Sequence, residues 1–348
     1  LERQMTALAN TLAGITVMDG FVYGAWLLIL VLLAAVTYVL TKYLPIISNM
    51  FLDVTINTRL HRDRRFEGES VRFKASDGVE LAGALSEGDA TQPVVVFCHE
   101  FSSDRHSATR YSDFLRESGY RIFTFDFRSH GDSPAPSGYV SRLWVTKAEL
   151  SDLRGALSYL RSREDVKHDE IGLFGVSRGG AVALCGTSEG KGMVKAVVTD
   201  GAYSAQQTLY DYMRKWVPIF ARVRWVYQNH PEWFFRGLGW LAIRLSELRM
   251  GSRVASLDKG IRALRLPVLM IHGERDSYLD VTQAKYLAGL NPEFVDLWVV
   301  PHAKHNEAVV QVADEYRRRV TEFFLAHLPV PVVSVSGSKP ASRDTVEG

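Results

Sequence analysis

With 348 residues, 47% of them hydrophobic and 23% charged, the chain can bury a large α/β core and is neither a disordered nor a fibrous composition. A net charge of +2 excludes a global attraction to nucleic acid, so local charge carries more information than the total. The only cysteines, Cys98 in an apolar strand and Cys185 on an apolar helix face, read as small core residues and not as a disulfide framework or metal site, with a reducing compartment favoured.

After an N-terminal segment, residues 1–20, the run Phe21 to Leu40 carries no charge and is long enough to span a bilayer as a helix. Asp19 and Lys42 bound it, and Tyr23, Trp26, Tyr38 and Tyr43 stand near its ends, where amphipathic rings favour the interface. A transmembrane helix is therefore expected over residues 21–42. The competing reading, a signal peptide, is disfavoured by the length of the run and by the lack of a basic leader and of a small-residue cleavage site. Arg3 alone precedes the span, whereas Lys42, Arg59, Arg62, Arg64 and Arg65 come after it, which orients the globular part towards the cytoplasm in a single-pass arrangement. Residues 43–68 are expected to form a juxtamembrane linker.

From residue 69 strands and helices alternate, as expected for a mostly parallel sheet with helices on both faces. Val71–Lys74, the turn Ser76-Asp-Gly78 and Val79–Leu85 read as an opening hairpin. Val94–Cys98 is a buried strand, followed by a helix over about 107–118 and the strand Arg121–Asp126. Leu150, Leu153, Leu157 and Leu160 form a helical stripe within 147–163. The strand at Ile171, a helix after residue 180 and the strand Lys195–Thr199 complete a first core part, 69–202.

Residues 203–262 break the alternation and read as an inserted helical cap. It contains Trp216, Trp225, Trp233 and Trp240, and it is locally basic through residues such as Arg222, Arg224, Arg236 and Arg244. Such a segment suits either an anionic lipid surface or a solvated lid over the pocket mouth. The second core part, 263–328, contributes the strand Pro267–Ile271, a helix over 281–290, the strand Val295–Val300 and a last helix over 307–328. The tail 329–348, rich in Pro, Ser and Gly, is expected to be disordered.

Four motifs fall at the ends of these strands. Gly175-Val-Ser177-Arg178-Gly179-Gly180 places a serine on a strand-to-helix turn, exposed at the positive end of a helix. Phe97-Cys-His99-Glu100-Phe101 comes after the first buried strand, Ile271-His-Gly-Glu-Arg-Asp276 ends a later one, and Val300-Pro-His302-Ala-Lys-His305-Asn306 comes after the last.

Together these motifs, over roughly residues 69–328, resemble the α/β-hydrolase superfamily. The resemblance implies an α/β-hydrolase fold with a helical cap insertion and a Ser, Asp, His order of Ser177 as nucleophile, Asp276 as acid and His305 as base. Asp280 and Asp200 stand as alternative acids. His302 and Lys304 occupy positions where the family carries glycine, and a metal held by His302 and His305 would lack further ligands. The backbone N–H groups of Phe101 and Arg178 are the implied oxyanion donors, with His99 and Glu100 supporting the loop. Glu100 stands where glycine is usual, and His99 reads as a brace of the loop.

Phe125-Asp-Phe-Arg-Ser-His130-Gly-Asp-Ser133 resembles the family's turn after the fourth strand, with Asp126 and Arg128 hydrogen-bonding the loops beneath the site and His130 in a structural place. No cofactor is implied. The expected activity is a membrane-anchored serine hydrolase cleaving a small-molecule or lipid-like ester or thioester. A peptidase or amidase with the same residues, and a non-catalytic interaction module at the membrane, are the other readings; oligomeric state is not legible.

Overall fold

The computed structural model describes residues 2–53, 64–187, 192–220 and 231–331. Arg59, Arg62, Arg222, Arg224, Trp225 and the tail from residue 332 lie outside the described residues. The chain divides into two compact units, Leu1–Val54 with Leu209–Arg253, and Thr55–Thr208 with Val254–Gly348.

The second unit is built on an eight-stranded sheet. Its strands are β1 (Glu69–Lys74), β2 (Glu80–Leu85), β3 (Val94–Cys98), β4 (Arg121–Phe125), β5 (Ile171–Val176), β6 (Val194–Asp200), β7 (Val268–Gly273) and β8 (Val295–Val300). They lie in the order β1-β2-β4-β3-β5-β6-β7-β8, with β1–β2 and β2–β4 antiparallel and every later pairing parallel. The opening hairpin is as expected, its turn resting on Gly78 at φ +92°.

The central strands β3 and β5 are buried along their whole length, covered on both faces, which explains their unbroken apolar runs. In β3, Val94, Val96 and Cys98 enter one apolar cluster with Leu153, Leu173 and Val182, while Val95 and Phe97 enter a second with Phe174, Tyr316 and Phe324. This two-residue alternation makes one strand serve both layers of core.

Helices α2 (Ala108–Tyr111), α3 (Lys147–Ser162) and α4 (Arg178–Cys185) fall between these strands. The capping box of Thr146 and Glu149 starts α3. The helix expected over 107–118 is instead three short pieces, with α2 flanked by 3-10 turns at Arg105–Ser107 and Asp113–Ser118. Ser112 sits at φ −137° and donates its hydroxyl to the Ala108 carbonyl, a local bond that competes with helical continuation.

Helices α5 (Ala205–Phe220) and α6 (Glu232–Met250) are followed by α7 (Leu257–Ala263), α8 (Val281–Gly289), α9 (Ala308–Gln311) and α10 (Ala313–His327). The single last helix expected from the sequence is thus divided at Val312, which has φ −130°. The crossover after β3 runs to β4 on one side and that after β5 runs to β6 on the other, so the topological switch point, where ligands bind in such sheets, lies at the carboxyl ends of β3 and β5.

In the first unit, α1 runs from Glu2 to Asp53 as one helix, through the stretch expected to be a linker as far as Asp53. It is long and apolar enough to cross a membrane. Its residues Phe21 to Leu33 are exposed, whereas Ile47, Ser48, Phe51 and Leu52 are buried. The last turns of α1 pack on α6, where the hydroxyls of Ser48 and Ser246 lie 2.8 Å apart and Arg249 donates to both Ser48 Oγ and Asn49 Oδ1.

Candidate active site

Ser177 lies between β5 and α4 with φ 53° and ψ −116°, a left-handed backbone that costs a non-glycine residue about 1–3 kcal/mol. The surroundings impose it. The Ser177 N–H donates to the Asp200 carbonyl at 2.7 Å, and the Ser177 carbonyl accepts from Ala181 N–H at 3.2 Å. Gly175 leaves room for the turn, since a Cβ there would stand 2.3 Å from the Gly179 carbonyl oxygen.

His305, in the loop after β8, brings Nε2 to 3.0 Å from Ser177 Oγ. Its Nδ1 lies 2.6 Å from Asp276 Oδ2, in the loop after β7. A carboxylate on Nδ1 keeps the proton there and leaves the Nε2 lone pair facing the hydroxyl. The other oxygen of Asp276 accepts the backbone N–H groups of Tyr278 and Leu279, each at 2.9 Å. Burial alone would raise the Asp276 carboxyl, but the hydrogen bond and charge of His305, with the Leu279 N–H, hold it below the usual range. All three side chains are nearly solvent-free.

The two alternative acids have other engagements. Asp280 caps α8, accepting from the Thr282 N–H and hydroxyl. Asp200 Oδ2 accepts the Tyr316 hydroxyl at 3.1 Å, and burial pushes its carboxyl up to about 7. His302 holds a positive φ of 62°, consistent with a position suited to glycine. Its ring is exposed beside Glu274, at 3.6 Å, and so does not join His305 in a shared ligand set.

The loop after β3 lies beside the serine turn because Cys98 pairs with Gly175 in the parallel ladder. His99 is fully buried, donating Nδ1–H to the Glu100 carbonyl at 2.7 Å and accepting the Phe127 N–H on Nε2 at 3.1 Å. Burial first, with the charge of nearby Arg178, holds His99 well below its ordinary pKa, so it is a neutral brace. Glu100 accepts from the Ser107 hydroxyl at 3.0 Å, which ties the loop to the 3-10 turn after it. The N–H groups of Phe101 and Arg178 donate to no backbone or side-chain group among the described residues. Arg178 N–H opens α4, where the helix N-terminus favours negative charge.

The Arg178 side chain is itself buried. Its guanidinium donates to Ser141 Oγ and the Arg142 carbonyl, each at 3.0 Å, and to His130 Nε2 at 3.3 Å. It lies 5.1 Å from the Phe101 ring centre and 5.2 Å from that of Phe127, so cation–π contact replaces part of its lost hydration.

Asp126 and Arg128 do brace these loops, through different partners. Arg128 binds Asp152 and Asp77, while Asp126 pairs with Arg105 and accepts the N–H groups of Arg105 and Asp132. Sequence reasoning missed Arg105. The available signal was Asp126 itself, an acid at the end of an apolar strand that requires a cation when buried.

As a whole, the arrangement can accept a proton from Ser177 on His305, hold the resulting imidazolium against Asp276, and present two unengaged N–H groups beside the serine. It is a set of parts suited to acyl transfer.

A family model for the alpha/beta hydrolase fold matches residues 93–239. The protein YfhR of Escherichia coli (strain K12) is 27% identical over 293 residues, covering 79% of this chain and 89% of that protein. The alpha/beta hydrolase domain-containing protein WAV2 of Arabidopsis thaliana is 23% identical over 75% of this chain and 80% of its own. Among solved structures, the Pyrococcus furiosus esterase Pf2001 superimposes with a TM-score of 0.57 at 26% identity, over 76% of this chain and 92% of the esterase.

Proposed function

We propose, for a chain that belongs to the α/β-hydrolase superfamily, that it is a membrane-anchored serine hydrolase cleaving an ester or thioester of a lipid-like or small-molecule acyl substrate. The observation that carries this reading is the continuous relay from Asp276 through His305 to Ser177, at 2.6 and 3.0 Å. Similarity to an esterase supports the choice of substrate bond.

In the first half-reaction Ser177 Oγ attacks the acyl carbon while its proton passes to His305 Nε2. The tetrahedral oxyanion accepts the N–H groups of Arg178 and Phe101, and Asp276 stabilises the imidazolium. The C–O or C–S bond then breaks, the leaving group takes the proton from His305, and an acyl-serine remains. Water attacks that ester with His305 as base, releasing the carboxylic acid and restoring Ser177. The N-terminal helix α1 is the proposed anchor, with the hydrolase unit on the cytoplasmic side.

A fluorophosphonate probe tests the chemistry, because it labels only an activated serine. Wild type is expected to be labelled and Ser177→Ala to be silent; equal labelling of the two would overturn the assignment. Matched ester, thioester and peptide substrates then separate the bond types.

A further inference from the structure

The outward face of α6 carries large apolar side chains that the described residues leave open to solvent. Trp233, Trp240, Leu241 and Leu248 are 73%, 52%, 37% and 81% exposed. Their spacing, i, i+7, i+8 and i+15, puts them on one side of a 3.6-residue helix. The opposite side, with Leu238, Ala242 and Ser246, is buried. An ordinary surface helix has one apolar stripe, turned inward. Here the outward side carries large apolar side chains as well, interleaved with exposed Arg236 and with Arg244, the latter 5.4 Å from the Trp240 ring centre.

The same unit contains the helix that would cross the membrane. Between Asp19 and Asp53, α1 carries a single charge, Lys42. Those residues extend for about 50 Å as a helix, against a hydrocarbon core of about 30 Å. The excess is at the C-terminal end, where Ser48, Asn49 and their neighbours pack on α6. α1 continues as one helix through Pro45, so Ser48 lies about 12 Å along the axis beyond Leu40. That distance puts the contact with α6 just past a headgroup layer about 5–8 Å deep on each side, within reach of long side chains on α6. Tryptophan rings with an aliphatic and guanidinium frame match that layer, where an apolar body and a polar edge are both satisfied.

We infer that α6 is a second membrane contact: its Trp233, Trp240, Leu241 and Leu248 side chains insert among the phospholipid headgroups, down to the glycerol level, of the bilayer crossed by α1. This rests on the reading of α1 as a membrane anchor. The helix is fixed to the anchor by the Ser48, Ser246 and Arg249 hydrogen bonds, so its depth follows from the depth of α1 and is not set by a flexible tether.

The test uses the full chain in phosphatidylcholine vesicles, in a Cys185→Ala background, with a nitrobenzoxadiazole fluorophore on Trp240→Cys or, as control, on Arg318→Cys of α10. The expected result is blue-shifted emission at position 240, quenched by a lipid carrying a nitroxide high on its acyl chain, with water-like, unquenched emission at 318. Trp233→Ser with Leu248→Ser should weaken the quenching at 240 while circular dichroism shows the fold unchanged. Water-like emission at 240 in protein that resists carbonate extraction would overturn this inference and leave the anchor standing. Release of the chain by carbonate would remove the anchor reading and this one with it. Crosslinking through position 240 between two copies at low protein-to-lipid ratio, without lipid quenching, would assign the face to a second copy and overturn it also.

Discussion

Gly179 lies against the Cys98 carbonyl so closely that a Cβ built on it would stand 2.0 Å from the oxygen and 2.6 Å from the His99 carbonyl oxygen. The two proposed sources of oxyanion donors, the first turn of α4 and the loop after β3, are held together at this contact. Both obstructing groups are backbone, so they cannot swing aside as a flexible side chain would.

Gly179→Ala is therefore expected to force the loop away from the serine turn. Overpacking at a backbone contact costs about 1–3 kcal/mol or more, and the displaced Phe101 N–H would no longer converge with that of Arg178. The measurement is a urea midpoint together with fluorophosphonate labelling rate. A variant with unchanged midpoint and unchanged rate would show that the contact places nothing.

The bond between His305 and Asp276 predicts a different pattern. Asp276→Asn keeps the volume but offers an amide where Nδ1–H needs an acceptor, which turns the imidazole tautomer the wrong way. The turnover of an ester substrate is expected to fall by roughly 10³–10⁴ with little change in thermal midpoint at neutral pH. Asp200→Asn, affecting the carboxylate bound to Tyr316, should fall far less. Equal losses in the two variants would sink the assignment of Asp276.

These local features were legible because their chemistry is local. A strand of five or six apolar residues, a glycine-flanked serine and an acid or histidine just after a strand are each written within one window of sequence. What was not legible depends on distant partners. Arg105 meets Asp126 across the sheet end, and Tyr316 reaches Asp200 from the last helix. The pairing of Ser48 with Ser246 joins positions 198 residues apart, so residues 43–53 read as part of a linker, 43–68, although they continue the helix. The breaks at Ser112 and Val312 were missed for a related reason: an apolar helical period continues through them, while the backbone turns.

Arg105 and Asp126 form an almost fully buried ion pair, with side chains 8% and 0% exposed. Arg105→Met leaves Asp126 with backbone N–H groups but without its buried counter-charge, and removing one partner of such a pair costs about 3–5 kcal/mol. Asp126→Asn alone should also destabilise. The double variant should be less unstable than the sum of the two, because no buried charge is then left unpaired, Asp132, the other partner of Arg105, being exposed. A chemical-denaturation cycle over the four proteins measures this, and strict additivity would show that the two groups do not depend on each other.

His130 gives the chain a proton-linked weakness beside the serine. Its Nδ1–H donates to the Arg128 carbonyl at 2.9 Å, so Nε2 is left to accept from Arg178 at 3.3 Å. Burial first, and the Arg178 charge second, push its pKa down from 6.5 to about 3. Between those values the unfolded chain binds a proton at this position and the folded chain does not, so stability is present above pH 6.5 and lost as pH falls. His130→Gln can keep both hydrogen bonds without titrating. Relative to this variant, wild type should lose up to about 1.4 kcal/mol of unfolding free energy per pH unit below the ordinary histidine pKa. Asp200, whose raised carboxyl works in the opposite sense over the same range, is common to both proteins and cancels in the difference. Urea midpoints taken from neutral pH down to the onset of carboxylate protonation would read it directly. Parallel profiles for the two proteins would mean that His130 is not held neutral, and that the bond ordering Arg178 beside Ser177 is not the one described.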